Sequence, residues 1–212
     1  MKKGGKFMRV FVAGSTGRVA TELLKKLSAK GYHVIAGARR PEAVLELANV
    51  TPQEMNLHAS VTDLTKLLEG TDAVVFAAGS RGKDLLQTDA YGAVKLMQAA
   101  EKVGVKRFVM LSTIFSLLPE KWPENLKDYY VAKFFADNYL MNQTDLDYTI
   151  LQPGGLLEEP GQGYIDLGDK GFTLISIEDV ASVLAEVIDK PSTVKQVFVI
   201  NPGNTAISKL FD

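Results

Sequence analysis

Tyr129 and Lys133 stand four positions apart in the segment Tyr129-Tyr130-Val131-Ala132-Lys133. On a helix this spacing puts both side chains on one face, with Cβ atoms about 5–6 Å apart. An ammonium beside a phenol stabilises the phenolate and draws its pKa down from about 10. The phenol can then give a proton to, or take one from, a carbinol or carbonyl oxygen. Ser112, a little upstream, offers a hydroxyl that could hydrogen-bond the same oxygen. Tyr130 is one position away and is a second candidate to face the reacting group. The plainer alternative is an amphipathic-helix tyrosine, a surface lysine and a serine that caps a turn.

A second constellation lies near the start. Gly14-Ser15-Thr16-Gly17-Arg18-Val19-Ala20 follows an apolar run and precedes a helical pattern, in the order G-x-x-G-x-x-A. The first small residue allows a sharp strand-to-helix turn. The second lets backbone approach a pyrophosphate, and the third permits close helix–strand packing. The helix that follows presents N–H groups and a dipole that favour an anion. Within the first strand–helix unit of an alternating chain, this pattern indicates a bound dinucleotide; the alternative is a glycine turn with no ligand. NAD-binding chains place an acid near the end of the second strand to bond the ribose hydroxyls. Here Arg39 and Arg40 stand there instead, and two guanidiniums suit a 2′-phosphate. Arg18 could add a third charge. The expected cofactor is therefore NADP(H) in preference to NAD(H), unless Arg39 and Arg40 are merely solvated. Asp63 and Leu64 could meet the adenine, or Asp63 could only cap the helix that begins there. Ala77, Ala78 and Gly79, small residues after the fourth strand, would let backbone lie against the cofactor. Arg81 and Lys83, in the same loop, reach phosphate or substrate, or else are solvated.

These residues need a frame that brings them together. Short apolar runs alternate with helical patterns along the chain. Strands are expected at Phe7 to Ala13, Tyr32 to Gly37, Met55 to His58, Ala73 to Ala77, Phe108 to Ser112, Tyr148 to Leu151 and Val194 to Ile200. Helices are expected at Val19 to Ala29, Pro41 to Ala48, Leu85 to Val103, Leu126 to Asn142 and Glu178 to Ile188. Strand–helix alternation implies βαβ units and a doubly wound, mostly parallel α/β sheet of Rossmann type with helices on both faces. Runs such as VFVA and FVML are apolar on both sides, as a helix-covered sheet requires. Residues 153–173 hold six glycines and two prolines and read as an excursion over a binding site.

Composition bounds the chemistry. The chain has 212 residues, 46% hydrophobic and 23% charged, with a net charge of −1. That size and balance suit a single domain spanning 1–212 and argue against a nucleic-acid footprint. No run approaches the ~20 apolar residues of a membrane span. There is no cysteine and there are two histidines, His33 and His58. Thiol nucleophiles and thiolate metal sites are thus excluded, and no metal site is expected. The apolar run that follows Lys2, Lys3 and Lys6 is too short for an export signal, so the chain reads as cytoplasmic.

The motifs together resemble the atypical short-chain dehydrogenase/reductases, in their small NAD(P)H-binding branch of NmrA-like and biliverdin-reductase-B-like proteins. The resemblance rests on GSTGRVA at 14–20, the arginine after the second strand, LST at 111–113, YYVAK at 129–133 and LDYTILQPGGL at 146–156. It implies that Pro153, Gly154 and Gly155 pass beside the nicotinamide. It also implies that Ser112, Tyr129 and Lys133 are the catalytic set, with Lys133 also holding the nicotinamide ribose. Many members of this branch lack the Tyr-x-x-x-Lys pair. The function implied is an NADPH-dependent oxidoreductase reducing a small carbonyl, quinone or flavin-type acceptor. The alternatives are a non-catalytic NADP(H)-binding sensor and an NAD-dependent epimerase or isomerase. Family members with nucleotide-sugar chemistry carry a larger C-terminal substrate domain than the roughly 60 residues that follow the sixth strand here. A small-molecule substrate and a monomer or weak homodimer are expected, with no nucleic-acid or membrane partner.

Overall fold

The computed structural model describes residues 8–212. Phe7 and the lysines at 2, 3 and 6 lie outside the described residues. The first strand, β1, runs Arg9–Ala13 and is stopped at Gly14, whose φ of +86° no β-branched residue would tolerate. Helix α1 spans Arg18–Ala29 and buries Val19, Ala20, Leu23, Leu24 and Leu27 on one face. The chain then returns to the sheet as β2 (His33–Ala38), β3 (Val50–Glu54) and, after α2 (Val61–Leu67), β4 (Ala73–Phe76). Helix α3 (Tyr91–Lys102) leads to β5 (Arg107–Leu111), and α4 (Lys127–Asn142) to β6 (Asp147–Pro153). The last stretch holds β7 (Gly155–Leu157), β8 (Tyr164–Leu167), β9 (Leu174–Ser176), α5 (Ile177–Val187), β10 (Gln196–Pro202) and β11 (Thr205–Ala206).

Nine strands form one sheet in the order β11-β8-β10-β6-β5-β4-β1-β2-β3, and β7 pairs with β9 separately. From β3 to β10 every pair is parallel. Only β8, against β10, and β11, against β8, run the other way. Helices α1 and α5 pack on one face around Leu23, Leu24, Val180 and Leu184. Helices α2, α3 and α4 pack on the other around Leu64, Leu96, Met97 and Leu140. This is the doubly wound Rossmann-type arrangement. Its strand order reverses between β1 and β4, and ligands of such sheets sit at that reversal, beyond the carboxyl ends of the strands.

Several expected elements shift. The helix expected from Pro41 to Ala48 is one 3-10 turn, Pro41–Ala43, because the segment is short and Asn49 turns the chain at a φ of +59°. The third strand is not Met55 to His58 but Val50–Glu54, an edge strand containing Pro52. Met55 and Leu57 are instead buried in the core beneath α2 and α3. The long helix expected from Leu85 begins as a π-helical turn, Leu85–Ala90, before α3 proper. Residues 153–173, expected to be irregular, contain β7 and β8. Arg107 ties β5 to α5 and β6: its guanidinium donates to the carbonyls of Asp147, Val187 and Ile188 and to the hydroxyls of Thr149 and Thr193. Burial pushes that guanidinium down to about 10. Among the described residues no helix is long and apolar enough to cross a membrane.

Candidate dinucleotide cleft

A cleft of about 660 Å³ opens where the strand order reverses. Its floor is the turn from β1 to α1. Gly14 lies so close to the backbone after β4 that a Cβ there would stand 2.5 Å from the Ala78 Cα. Gly17 precedes α1, whose N-terminus has no side-chain cap and no acid in its first turn. The first N–H groups of a helix have no partner within it. With Thr16, Gly17, Arg18 and Val19 all lining the cleft, that helix end faces the open space. This donor set fits a pyrophosphate, with no acid in the first turn of α1 to oppose one.

Not every residue of the turn takes part. Ser15 is fully buried: its hydroxyl donates to the Val12 carbonyl and its N–H to the Gly37 carbonyl. It therefore braces the turn from behind and does not line the cleft. Asp63 and Leu64 also lie off it. Ser60 caps α2 by accepting from the Asp63 N–H, Asp63 is exposed and paired with Lys66, and Leu64 is core. The expected adenine contact at Asp63 and Leu64 is corrected by this helix packing. The wall at that end is Met55, Asn56, Leu57 and His58.

Arg39 and Arg40 are exposed and line the same end. Opposite them, the loop after β4 brings Ala77, Ala78, Gly79, Ser80, Arg81 and Lys83 to the rim. That loop is anchored twice. Asp89 accepts from the Ser80 N–H at 2.9 Å. Asp84 meets the His58 Nε2 at 2.6 Å, and the Thr88 hydroxyl holds its carboxyl below the usual range, helped by His58. Arg18 crosses toward β7 and pairs with Glu158 at 2.9 Å; both side chains are largely exposed, so the pair adds little stability.

At the far end stand Leu111, Ser112, Thr113, Tyr129, Lys133, Pro153, Gly154 and Leu156. Gly155 is the one residue of the Pro153-Gly154-Gly155 turn that does not line the cleft. A Cβ on it would strike Leu174 and Phe172 on the other side. A Cβ on Gly154 would come within 2.1 Å of the Thr173 carbonyl, so only glycine lets this turn pass. The choice between the two tyrosines is resolved by packing. Tyr129 opens on the cleft, whereas Tyr130 is buried, stacked on Trp122 with ring centroids 6.0 Å apart. Burial pushes the Tyr130 phenol upward. The Lys133 Nζ stands 5.8 Å from the Tyr129 ring centroid and donates to the Leu111 carbonyl at 3.2 Å. The Ser112 hydroxyl is at 2.5 Å from Asp137 Oδ2.

A family model described as NAD(P)H-binding matches residues 14–191. The chain belongs to this NAD(P)H-binding family. It is 35% identical to an uncharacterized sugar epimerase, YhfK, from Bacillus subtilis, over 95% of this chain and 98% of that one. It is 48% identical to the oxidoreductase ylbE from Lactococcus lactis, whose crystal structure superposes with a TM-score of 0.93 over 95% of this chain and 94% of that one. It is 27% identical to the chloroplastic divinyl chlorophyllide a 8-vinyl-reductase of Arabidopsis thaliana, over 98% of this chain but 56% of that protein. The resemblance to atypical short-chain dehydrogenase/reductases drawn from GSTGRVA, YYVAK and LDYTILQPGGL is thereby borne out. The family holds both oxidoreductase and epimerase names.

The cleft also contains residues the sequence did not single out. Asn56 and Leu57 carry no motif, and Thr88 and Asp89 fall within the helix expected from Leu85. Behind the cleft wall, the fully buried Asp137, four residues after Lys133, was legible only as one more charged helix position.

Proposed function

We propose that the protein is an NADPH-dependent oxidoreductase that reduces a small carbonyl, quinone or flavin-type acceptor by hydride transfer. One observation carries this reading: a single cleft joins two arginines at one end to a serine, tyrosine and lysine set at the other, with an acid-free helix N-terminus between them. When bound, the cofactor supplies the hydride. Thr16, Gly17, Arg18 and Val19 hold its pyrophosphate. Arg39 and Arg40 hold the 2′-phosphate. Tyr129 gives a proton to the acceptor oxygen, Lys133 orients the phenol and the nicotinamide ribose, and Ser112 positions that oxygen. Pro153 and Gly154 shape the wall beside the reacting ring.

Two measurements test it. Replacing Arg39 and Arg40 together by alanine should weaken NADPH binding about 10- to 100-fold, as expected for losing charge-assisted hydrogen bonds, while NADH affinity stays within about twofold. Equal wild-type affinities for the two cofactors would remove the preference. Y129F should abolish carbonyl reduction with NADPH affinity near that of the wild type. Undiminished turnover in Y129F would point to direct hydride transfer to a flavin-like acceptor. No NADPH consumption over a panel of carbonyls, quinones and flavins, with tight cofactor binding, would favour the sensor reading.

A further inference from the structure

Asp137 lies directly behind Ser112, fully buried on α4. Its Oδ2 is approached by two hydroxyls, that of Ser112 at 2.5 Å and that of Ser116 at 2.6 Å. Its Oδ1 has no hydrogen-bond partner among the described residues. Ser116 is itself fully buried and accepts from Gln152 Nε2 at 2.7 Å. Ser116 therefore has one hydrogen to give, and Oδ2 is where it goes. Ser112 alone of the two hydroxyls also opens on the cleft.

These contacts constrain the protons. A carboxylate can only accept, so with Asp137 charged both serines must donate to it. Ser112 then presents only lone pairs to the cleft and cannot hold a carbonyl oxygen or a developing alkoxide. With Asp137 neutral, its hydrogen sits on Oδ2 and is donated to Ser112. The Ser112 hydrogen is thereby released to the cleft. The partnerless Oδ1 suits the neutral form, as its C=O oxygen, better than half of a buried carboxylate.

We propose that Asp137 is a positioning residue whose protonation state decides whether Ser112 donates to the acceptor oxygen, so that reduction proceeds only with Asp137 neutral. This rests on the oxidoreductase reading above. The proton balance closes: hydride and the Tyr129 proton reach the acceptor, and Asp137 keeps its own proton throughout. Burial lifts the Asp137 carboxyl to about 6 against the opposing pull of Ser112, Ser116, Lys133 and Gln152. Lys133, on the same helix, is the one charged group among these. The segment after β5 contributes Ser112 and Ser116, and β6 contributes Gln152, all neutral.

The test follows the carboxyl directly and then the turnover. Protein labelled with ¹³C-aspartate, without cofactor or substrate, is titrated by NMR, with the Asp137 signal assigned by its loss in D137N. The wild-type midpoint should fall near 6. S112A and S116A should each raise it by about one to two pH units, the worth of one charge-assisted hydrogen bond to the carboxylate. In parallel, kcat/KM, which reports the free enzyme, should fall more than tenfold between pH 5.5 and pH 8 in the wild type. That limb should vanish in D137N and move upward in S116A in step with the NMR midpoint. A limb retained in D137N, a limb unmoved in S116A, or a midpoint unmoved in S112A would each overturn the proposal. Should D137N not fold, the S116A and S112A shifts still decide it, with the signal assigned by elimination of the other aspartates, the buried Asp89 and Asp179 included. Should no acceptor consume NADPH, the oxidoreductase reading fails, and the S112A midpoint judges the Asp137–Ser112 coupling by itself.

Discussion

A carboxyl whose pKa is higher in the folded chain than in the unfolded one makes the fold less stable as pH rises. Asp137 is such a group, lifted from 3.8 to about 6 chiefly by burial. Between those values the folded chain binds the extra proton, so stability from this group is greatest near pH 4, declines through pH 6 and is flat above. Asp166 works in the opposite sense. The Lys170 ammonium and the Asn204 N–H hold it down to about 2, so its share is present above about pH 4 and is lost as pH falls toward 2. Urea unfolding between pH 4 and pH 7 should show a stability decline in the wild type that D137N lacks. Equal slopes for the two proteins would contradict the burial argument. Asp137 also shows where single-residue reading stops. A charged residue on a helix is nearly always solvated, so nothing in its type marks it as buried. Ser112, Tyr129 and Lys133 could be singled out because their spacing and their place after a strand carry chemistry. Ser15, Asp63, Leu64 and Gly155 fit the same patterns, yet their side chains or would-be Cβ atoms point away from the cleft. Orientation at one position in a turn is not written in residue type.

At the scale of elements, the turn from β1 to α1 depends on Gly14. Its φ of +86° strains any other residue, and a Cβ would strike the backbone of Ala78. G14A should destabilise the protein by about 1–3 kcal/mol and weaken cofactor binding as well, because the same shift moves the α1 N-terminus. Thermal unfolding with and without NADPH measures both effects; unchanged stability would mean the loop after β4 gives way freely. Central strands and long helices were legible from alternating apolar runs, since burial on both faces leaves a clear signature. The edge strand β3 was not. Its residues are half-exposed and polar, it carries a proline, and the buried Met55 and Leu57 beside it imitate a strand better than it does. The π-helical turn before α3 was equally silent, because Leu85–Ala90 has ordinary helical composition.

At the scale of the whole molecule, the parallel order from β3 to β10 places the glycine turn and the loops after β2, β4, β5 and β6 at the carboxyl ends of strands, on one side of the sheet. A ligand there touches the ends of β1, β2, β4, β5 and β6 together and should stabilise the fold as a unit. NADPH at a hundred times its dissociation constant should contribute about 2.7 kcal/mol. For a chain of this length that is a rise in Tm of roughly 5–10 °C. Differential scanning calorimetry checks it, and a shift under 2 °C at that saturation would argue against a cleft that binds the folded state selectively. Sheet order was legible only as a class, because alternation gives the parallel core while the antiparallel β8 lies within the glycine-rich stretch and β11 is two residues long.

The outer edge of β3 has a further effect on how copies of the protein meet. The Val34 N–H donates to the Asn49 carbonyl and the Met55 N–H to the Ala38 carbonyl, so odd-numbered residues of this segment face β2 and even-numbered ones face outward. Of the outward row, the Val50 N–H is taken by the Leu47 carbonyl, and Pro52 has none to offer. Glu54 alone keeps a donor there, and its carbonyl is already occupied by the Gln53 side chain. A stray strand from another chain would find one free donor, the Glu54 N–H, beside the Val50 and Pro52 carbonyls, too few donors to build a ladder. The proline that hides β3 from sequence reading thus serves as a stopper against fibrous stacking, at the border that a nine-stranded sheet would otherwise leave open to its neighbours.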